Sequence, residues 1–336
     1  MNGRRWAALG IAAALFFVSV LINFLTAFAV KGIQTDFSDF FAAADQPFTE
    51  EVVEDGNELK KIVVLDVEGV IQDSGDAGSL LQSTGYNHQL FLKQLNDIKD
   101  DDTVKGLIIR VNSPGGGVVE SAEIHDKLVE IQKNTKKPVY ISMGSMAASG
   151  GYYISTAAKK IYASPETLTG SLGVIMEGIN YKGLADKYGV DFVTIKSGKY
   201  KDIMSPTRKM TEEERKILQT MINNSYEGFV KVISEGRNLS VDQVKKIADG
   251  RIYDGRQAKE LNLIDGFGYL DDCIKQMKKD EKLKGAKVVR YTETLGLGSL
   301  FTFQAKKLMG DSAEMAGLMK VLSKPNSPRL MYLYAE

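Results

Sequence analysis

Residues 107–131 read LIIRVNSPGGGVVESAEIHDKLVEI, and this stretch decides the fold. The near-continuous apolar run at residues 107–111 predicts a strand that is covered on both faces of a sheet. A glycine-rich loop at residues 115–117 ends this run, and residues 118–131 then carry an apolar stripe with helical spacing. A strand, a tight glycine loop and a helix in this order predict one unit of a layered α/β domain.

The same alternation continues on both sides of this unit, and it predicts an α/β fold with mostly parallel strands joined by short loops. A capping box, Thr211 with Glu214, predicts the start of a long helix. The other predicted strands are residues 62–67, 138–141, 160–163 and 287–291, and the other predicted helices are residues 89–98, 147–157, 254–262, 269–278 and 300–322.

The N-terminus predicts a membrane anchor. Residues 6–30 carry no charge, and as a helix they would reach about 37 Å, enough to cross a hydrocarbon core of about 30 Å. Arg4 and Arg5 precede this run and acidic residues dominate after it. The positive-inside rule therefore predicts a single-pass cell-membrane protein with a cytoplasmic N-terminus and an extracytoplasmic body. The alternative is a cleaved signal peptide, because Ala27 and Ala29 have the small-x-small spacing of a cleavage site.

We divide the chain into a cytoplasmic stub and transmembrane anchor at residues 1–30, a polar linker at 31–57, a catalytic domain at 58–292, and a C-terminal helix and apolar tail at 293–336. The 43 basic residues balance the 43 acidic ones, so no basic field predicts nucleic-acid binding. Cys273 is the single cysteine and cannot form a disulfide within the chain.

Two loops carry the chemistry that the sequence predicts. The glycines at residues 115–117 follow a buried strand and precede a helix, a placement that directs backbone N–H groups into one small space. Such donors stabilise the oxyanion that forms when an amide is attacked. Ser149 lies among small residues at the start of a predicted helix, and it is the candidate nucleophile. Ser142 and Ser145 are alternatives, although Ser145 better suits a helix N-cap.

The base for this serine is not expected to be histidine. The chain has only two histidines, His88 and His125, and both precede Ser149. Lysine acts as a base when its neutral form is accessible. Lys199 and Lys201 lie downstream and are two residues apart, so an extended segment would point both the same way. The residues alone leave the choice between the two lysines open.

At these motifs the chain resembles the bacterial signal peptide peptidase A family, within the wider Clp protease and crotonase superfamily. The resemblance spans roughly residues 60 to 291, and it rests on residues 112–116, 147–153, 169–174 and 198–201. It implies a Clp protease/crotonase-like fold of repeated ββα units. Because the chain carries one copy of the domain, it resembles the short, single-domain members of the family.

The resemblance also assigns roles by position. It implies that Ser149 is the nucleophile and Lys201 the general base. Gly115 and Gly150 match the oxyanion donors, Gly116 could not be separated from Gly115, and Ser171 matches a serine that orients the lysine.

By resemblance the protein degrades released signal peptides and other extended apolar peptides at the membrane, without a cofactor or a metal. It is expected to form a homo-oligomeric ring or dome in which neighbouring protomers share the dyad. The alternatives are a catalytically silent scaffold and a crotonase-like acyl-CoA enzyme of the same fold. The apolar tail, residues 330–335, follows a proline break and is expected to bind in an active-site groove and to be trimmed there.

Overall fold

The computed structural model describes residues 15–19, 48–73, 86–293 and 329–334. The strands are β1 (Phe48–Glu54), β2 (Asn57–Glu68), β3 (Val104–Ser113), β4 (Gly115–Gly117), β5 (Val139–Ala148), β6 (Lys160–Ala163), β7 (Leu168–Gly170), β8 (Ile252–Tyr253), β9 (Gly266–Phe267), β10 (Ala286–Glu293) and β11 (Met331–Leu333). The helices of the body are α1 (His88–Asp100), α2 (Val118–Thr135), α3 (Gly150–Ser155), α4 (Lys182–Lys187), α5 (Glu212–Arg237), α6 (Val241–Ile247), α7 (Gly255–Glu260) and α8 (Leu270–Asp280).

A large, mostly parallel sheet forms the centre of the body and confirms the predicted α/β class. Its strand order is β1-β10-β2-β3-β5-β6-β9, with β7 added to β5 and β8 added to β7. Pairing is parallel from β10 to β9 and antiparallel at β1 and β8. The central strands are buried on both faces, which explains their continuous apolar sequence.

Alternate residues of β2 divide the core into two apolar clusters. Val63 and Leu65 join the larger cluster, which includes residues of α1, α2, α3 and α5. Ile62 and Val64 lie on the other face and pack in a smaller cluster with α8. Period-two alternation along a strand is what sends neighbouring side chains to opposite layers.

The body begins earlier than the boundary predicted from the sequence. Strand β1 lies within the segment expected to be a polar linker, and it pairs antiparallel with β10. The strand has little apolar periodicity because it is an exposed edge strand. Phe48 anchors it by stacking on Tyr291 with ring centroids 4.7 Å apart, and Glu50 pairs with Lys61 at 2.8 Å. Pairing across the sheet, rather than a local pattern, produces this strand.

The predicted anchor and the predicted helix at residues 300–322 fall outside the described residues, except for helical residues 15–19. Among the residues that the structure describes, no helix has the length and apolar character needed to cross a membrane.

Candidate active site

The glycine loop is a short strand held from one side by Ile71. The Ile71 N–H donates to the Gly115 carbonyl oxygen at 2.8 Å, and the Gly117 N–H donates to the Ile71 carbonyl oxygen at 2.8 Å. Gly115 has a φ of +104°, a conformation that favours glycine. Its N–H donates to Ser113 Oγ at 3.0 Å. This amide, which the sequence assigned to the oxyanion hole, therefore already has an acceptor within the loop.

Ser149 lies at a sharp turn between strand and helix. Strand β5 ends at Ala148 and helix α3 begins at Gly150, so Ser149 itself is the N-cap residue, at a φ of +51°. A non-glycine residue in this region carries backbone strain, which is found most often at functional sites. The Ser149 side chain is buried, at 1% exposure, and its Oγ has no hydrogen-bond partner among the described residues. A buried hydroxyl at a strained turn, with no hydrogen bond among the described residues, is typical of a serine nucleophile whose base is not yet in contact with it.

Ser171 lies next to Ser149 across the sheet. Parallel pairing of β5 with β7 places Ala148 opposite Gly170, so the two serines directly follow a matched pair. The Ser149 N–H donates to the Gly170 carbonyl oxygen at 2.8 Å, and Ser171 also has a positive φ, of +50°. The structure thus brings these two predicted site residues together.

The C-terminal tail lies as a strand beside the glycine loop, where it was expected to dock; its binding in an active site and its trimming stay predictions. Strand β11 pairs antiparallel with β4 and places Tyr332 opposite Gly116. On its other edge, Met331 exchanges two backbone hydrogen bonds with Ile175, each of 3.0 Å. The tail therefore lies as an added strand between two backbone segments, the way an extended peptide binds by strand addition.

The Tyr332 carbonyl oxygen lies at the glycine loop. A Cβ atom at Gly115 would stand 2.0 Å from this oxygen and 2.7 Å from the Gly150 nitrogen. A Cβ atom at Gly150 would stand 3.0 Å from the Gly116 nitrogen and 3.1 Å from the same oxygen. The absence of side chains at both glycines lets a peptide carbonyl approach these backbone amides.

The Tyr332 side chain fills an aromatic pocket that the sequence analysis did not find. It is 2% exposed. Its ring stacks on Tyr153 with centroids 4.9 Å apart, and it contacts Phe229 at 4.7 Å. Its hydroxyl donates to the Ser225 carbonyl oxygen at 2.9 Å. Residues of α3 and α5 form the pocket. Because these helices are far apart in sequence, no local motif predicts it.

The two candidate lysines differ in their surroundings. Lys199 pairs with Glu213, and the hydrogen bond to that carboxylate raises the pKa of Lys199. Lys201 is exposed, and its ammonium makes no hydrogen bond or ion pair within the described ranges of the chain. The structure does not join Lys201 to Ser149, because the Ser149 hydroxyl has no partner among the residues described.

Neither histidine serves Ser149. His88 is engaged by the Tyr86 hydroxyl at 2.7 Å and by Glu123 at 3.0 Å. His125 lies 3.2 Å from Asp126, and burial lowers its pKa. Both rings therefore have contacts of their own, away from the Ser149 hydroxyl.

Comparisons with known proteins agree with this fold. Residues 131–284 match the model of peptidase family S49, and residues 82–169 match the Clp protease model. A protein of Enterococcus faecium named as a signal peptide peptidase SppA is 42% identical over 345 residues, which cover 99% of each chain. Protease 4 of Haemophilus influenzae is 33% identical over 298 residues, which cover 83% of this chain and 47% of the relative.

The fold and these matches define the molecule as a serine peptidase with an α/β architecture. The Enterococcus relative is 42% identical over nearly the whole chain, and this similarity shows the family of the chain. The chain belongs to peptidase family S49.

Proposed function

We propose that the chain is a membrane-anchored endopeptidase that cuts extended apolar peptides, including released signal peptides, with Ser149 as nucleophile and Lys201 of a neighbouring protomer as base. The observation that carries this proposal is the tail strand in the groove between Gly116 and Ile175. The Enterococcus relative is named for signal peptides, and the apolar run at residues 6–30 would hold the domain where such peptides collect.

The tail shows how a substrate would lie. Its Tyr332 carbonyl oxygen lies close to the Gly116 and Gly150 backbone, and we propose these two amides as the oxyanion donors and the bond after Tyr332 as the bond that is cut. We propose Gly116 in the role that the resemblance implies for Gly115, because the Gly115 N–H donates to Ser113. Strand pairing would bind the backbone of the peptide, and the aromatic pocket would bind one of its side chains, the one in the position of Tyr332.

The chemistry follows from these groups. The neutral Lys201 amine accepts the Ser149 hydroxyl proton while Oγ attacks the peptide carbonyl carbon. The Gly116 and Gly150 amides donate to the oxyanion that results, an interaction worth about 3–4 kcal/mol for each donor. The Lys201 ammonium then gives its proton to the leaving amine, and a water attacks the acyl-enzyme with the same lysine as base. Ser171, whose backbone lies beside that of Ser149, is the residue that we propose to orient the lysine.

A second copy of the chain is the proposed source of the lysine. Lys201 lies on an arm, residues 177–210, in which Ala185 is the only buried residue. The arm exposes apolar side chains, among them Val193 at 88% and Ile195 at 96%. An exposed apolar surface of this kind marks an interaction site, and among the described residues of one chain neither the Ser149 hydroxyl nor the Lys201 ammonium has a hydrogen-bond partner. A closed ring of heterologous contacts would give each protomer one complete site.

Two experiments test the proposal. A fluorophosphonate probe should label active protein at Ser149 and leave Ser149→Ala protein unlabelled, whereas a silent scaffold or an acyl-CoA enzyme would not be labelled. Co-expression of Ser149→Ala with Lys201→Ala should restore peptidase activity, since some interfaces regain both groups. Failure to recover activity in mixed assemblies would place the dyad within one chain.

A further inference from the structure

Arg208 clamps the loop that carries Lys201 onto the start of helix α5. Its guanidinium donates from Nε to Asp202 Oδ2 and from Nη2 to Asp202 Oδ1, both at 2.8 Å. It also donates from Nη2 to the Asp202 carbonyl oxygen at 3.0 Å. The same guanidinium donates from Nη1 to Glu214 Oε2 at 2.8 Å, and from Nη2 to the other oxygen of Glu214. One planar group thus joins the residue that follows Lys201 to a buried carboxylate of the helix.

The anchor at the helix is itself fixed. Glu214 is buried, at 2% exposure, and it completes the capping box by accepting from the Thr211 N–H at 2.9 Å. The hydrogen bond from Arg208 is the main cause that lowers the pKa of Glu214 to about 2, and the same guanidinium lowers the pKa of Asp202. Both carboxylates therefore remain charged throughout the neutral range, and bidentate charge-assisted contacts of this kind also fix geometry.

The other anchors of the Lys201 loop are also polar: Lys199 and Tyr200 both donate to Glu213 at the start of helix α5, Tyr200 at 3.1 Å. The backbone of the loop forms tight turns, with the Lys201 N–H donating to the Gly198 carbonyl oxygen at 3.2 Å, and the surrounding arm has almost no buried side chains. Lys196 adds a hydrogen bond to Asp202 Oδ1 at 2.6 Å. A loop without a core depends on its polar contacts for its position.

We propose that Arg208 is a positioning residue for the catalytic lysine: through Asp202 and Glu214 it sets where Lys201 is presented to the serine. This inference rests on the proposed role of Lys201 as the base. A base must lie within hydrogen-bonding reach of the proton that it takes, and a misplacement of about 1 Å can cost about 10²-fold in rate. Arg208 itself touches neither substrate nor Ser149.

The test compares full-length Arg208→Gln protein with Arg256→Gln as the matched control, because Arg256 also pairs with a carboxylate, that of Glu166, at 2.5 Å. We expect kcat of Arg208→Gln to fall by about 10²-fold with KM unchanged, and Arg256→Gln to match the wild type. Arg208→Lys, which supplies charge without a planar fork, should recover only part of the rate.

Co-expression then locates the defect. Arg208→Gln mixed with Ser149→Ala should recover, because about one site in four would join an intact serine to a well-placed lysine across a heterologous interface. Arg208→Gln mixed with Lys201→Ala should not recover. Wild-type kcat in Arg208→Gln, or recovery with Lys201→Ala, would overturn the inference.

Two further results keep the test decisive. If Arg208→Gln does not fold, Asp202→Asn removes the same ion pair and replaces it in the test. Asp202→Asn should recover activity when mixed with Ser149→Ala and should not recover it when mixed with Lys201→Ala. Recovery with Lys201→Ala would again overturn the inference. If Ser149→Ala and Lys201→Ala do not complement each other, the shared dyad has failed instead. The kcat of Arg208→Gln against that of Arg256→Gln then decides the role of Arg208.

Discussion

The aromatic pocket makes a quantitative prediction about which peptide bond is cut. Tyr332 is almost completely buried between Tyr153 and Phe229, and its hydroxyl donates to the Ser225 carbonyl oxygen. Replacing a buried aromatic side chain by alanine typically costs about 3–5 kcal/mol. Because solvent would refill part of an open groove, we take about 3 kcal/mol, which corresponds to about 10²-fold in kcat/KM.

Synthetic peptides that span residues 325–336, incubated with enzyme that lacks its own tail, measure this difference directly. We expect cleavage after Tyr332 in the natural peptide and about 10²-fold lower kcat/KM for the Tyr332→Ala peptide. The Tyr332→Phe peptide is the control. It keeps the ring and loses one hydrogen bond of about 1 kcal/mol, so about a fivefold loss is expected.

Equal kcat/KM for the tyrosine and alanine peptides would refute the pocket as the determinant of cleavage. Cleavage at another bond would refute the assignment of the Tyr332 carbonyl to the oxyanion site. The tail of the intact protein provides the parallel observation, because active protein should lose residues 333–336 and Ser149→Ala protein should keep them.

Other consequences of the site are open to similar measurement. Activity should fall by about the same factor in Ser149→Ala, in Lys201→Ala and in the double variant, since a nucleophile and its base act as a unit. Nearly full activity in Lys201→Ala would exclude the dyad. Peptidase activity should rise with pH, because an amine accepts the serine proton only in its neutral form; a flat kcat/KM profile from about pH 5 to 9, with chemistry rate-limiting, would contradict a lysine base. Gly115→Ala should lower kcat/KM by about 10²-fold or more, since its methyl group would stand 2.0 Å from the Tyr332 carbonyl oxygen. Gly228→Ala, where the space is open, should leave the rate unchanged.

Much of the fold could be predicted from the sequence because many of its elements depend on local sequence patterns. The apolar run at residues 107–111 lies within β3, and the helix predicted at residues 118–131 is α2. The capping box of Thr211 and Glu214 is present as predicted, because it depends on contacts between residues three apart. The turn at Ser149 followed from small residues between a strand and a helix, although the predicted helix began three residues too early, since β5 continues to Ala148 and the helix begins at Gly150.

Pairing between segments that are distant in sequence determines the parts of the fold that local patterns did not predict. The edge strand β1 exists because β10 lies beside it, and its own residues are largely polar. The groove for the tail is formed by Gly116 on one side and Ile175 on the other, which are distant in sequence. The Gly115 amide is engaged by the Ser113 hydroxyl, which accepts from it, and no local pattern predicted this contact.

Composition, spacing and local caps act over a few positions, so the sequence alone predicted the α/β class and a short set of chemically competent residues, and the resemblance of its motifs indicated the family. Only the tertiary structure decided which of these residues meet. It leaves the Ser149 hydroxyl buried, pairs Lys199 with Glu213, and exposes Lys201 on the arm; neither the Ser149 hydroxyl nor the Lys201 ammonium has a hydrogen-bond partner among the described residues. Hydrogen bonds and ion pairs act only at contact distance, and contacts between distant segments are set by the packing of the whole domain.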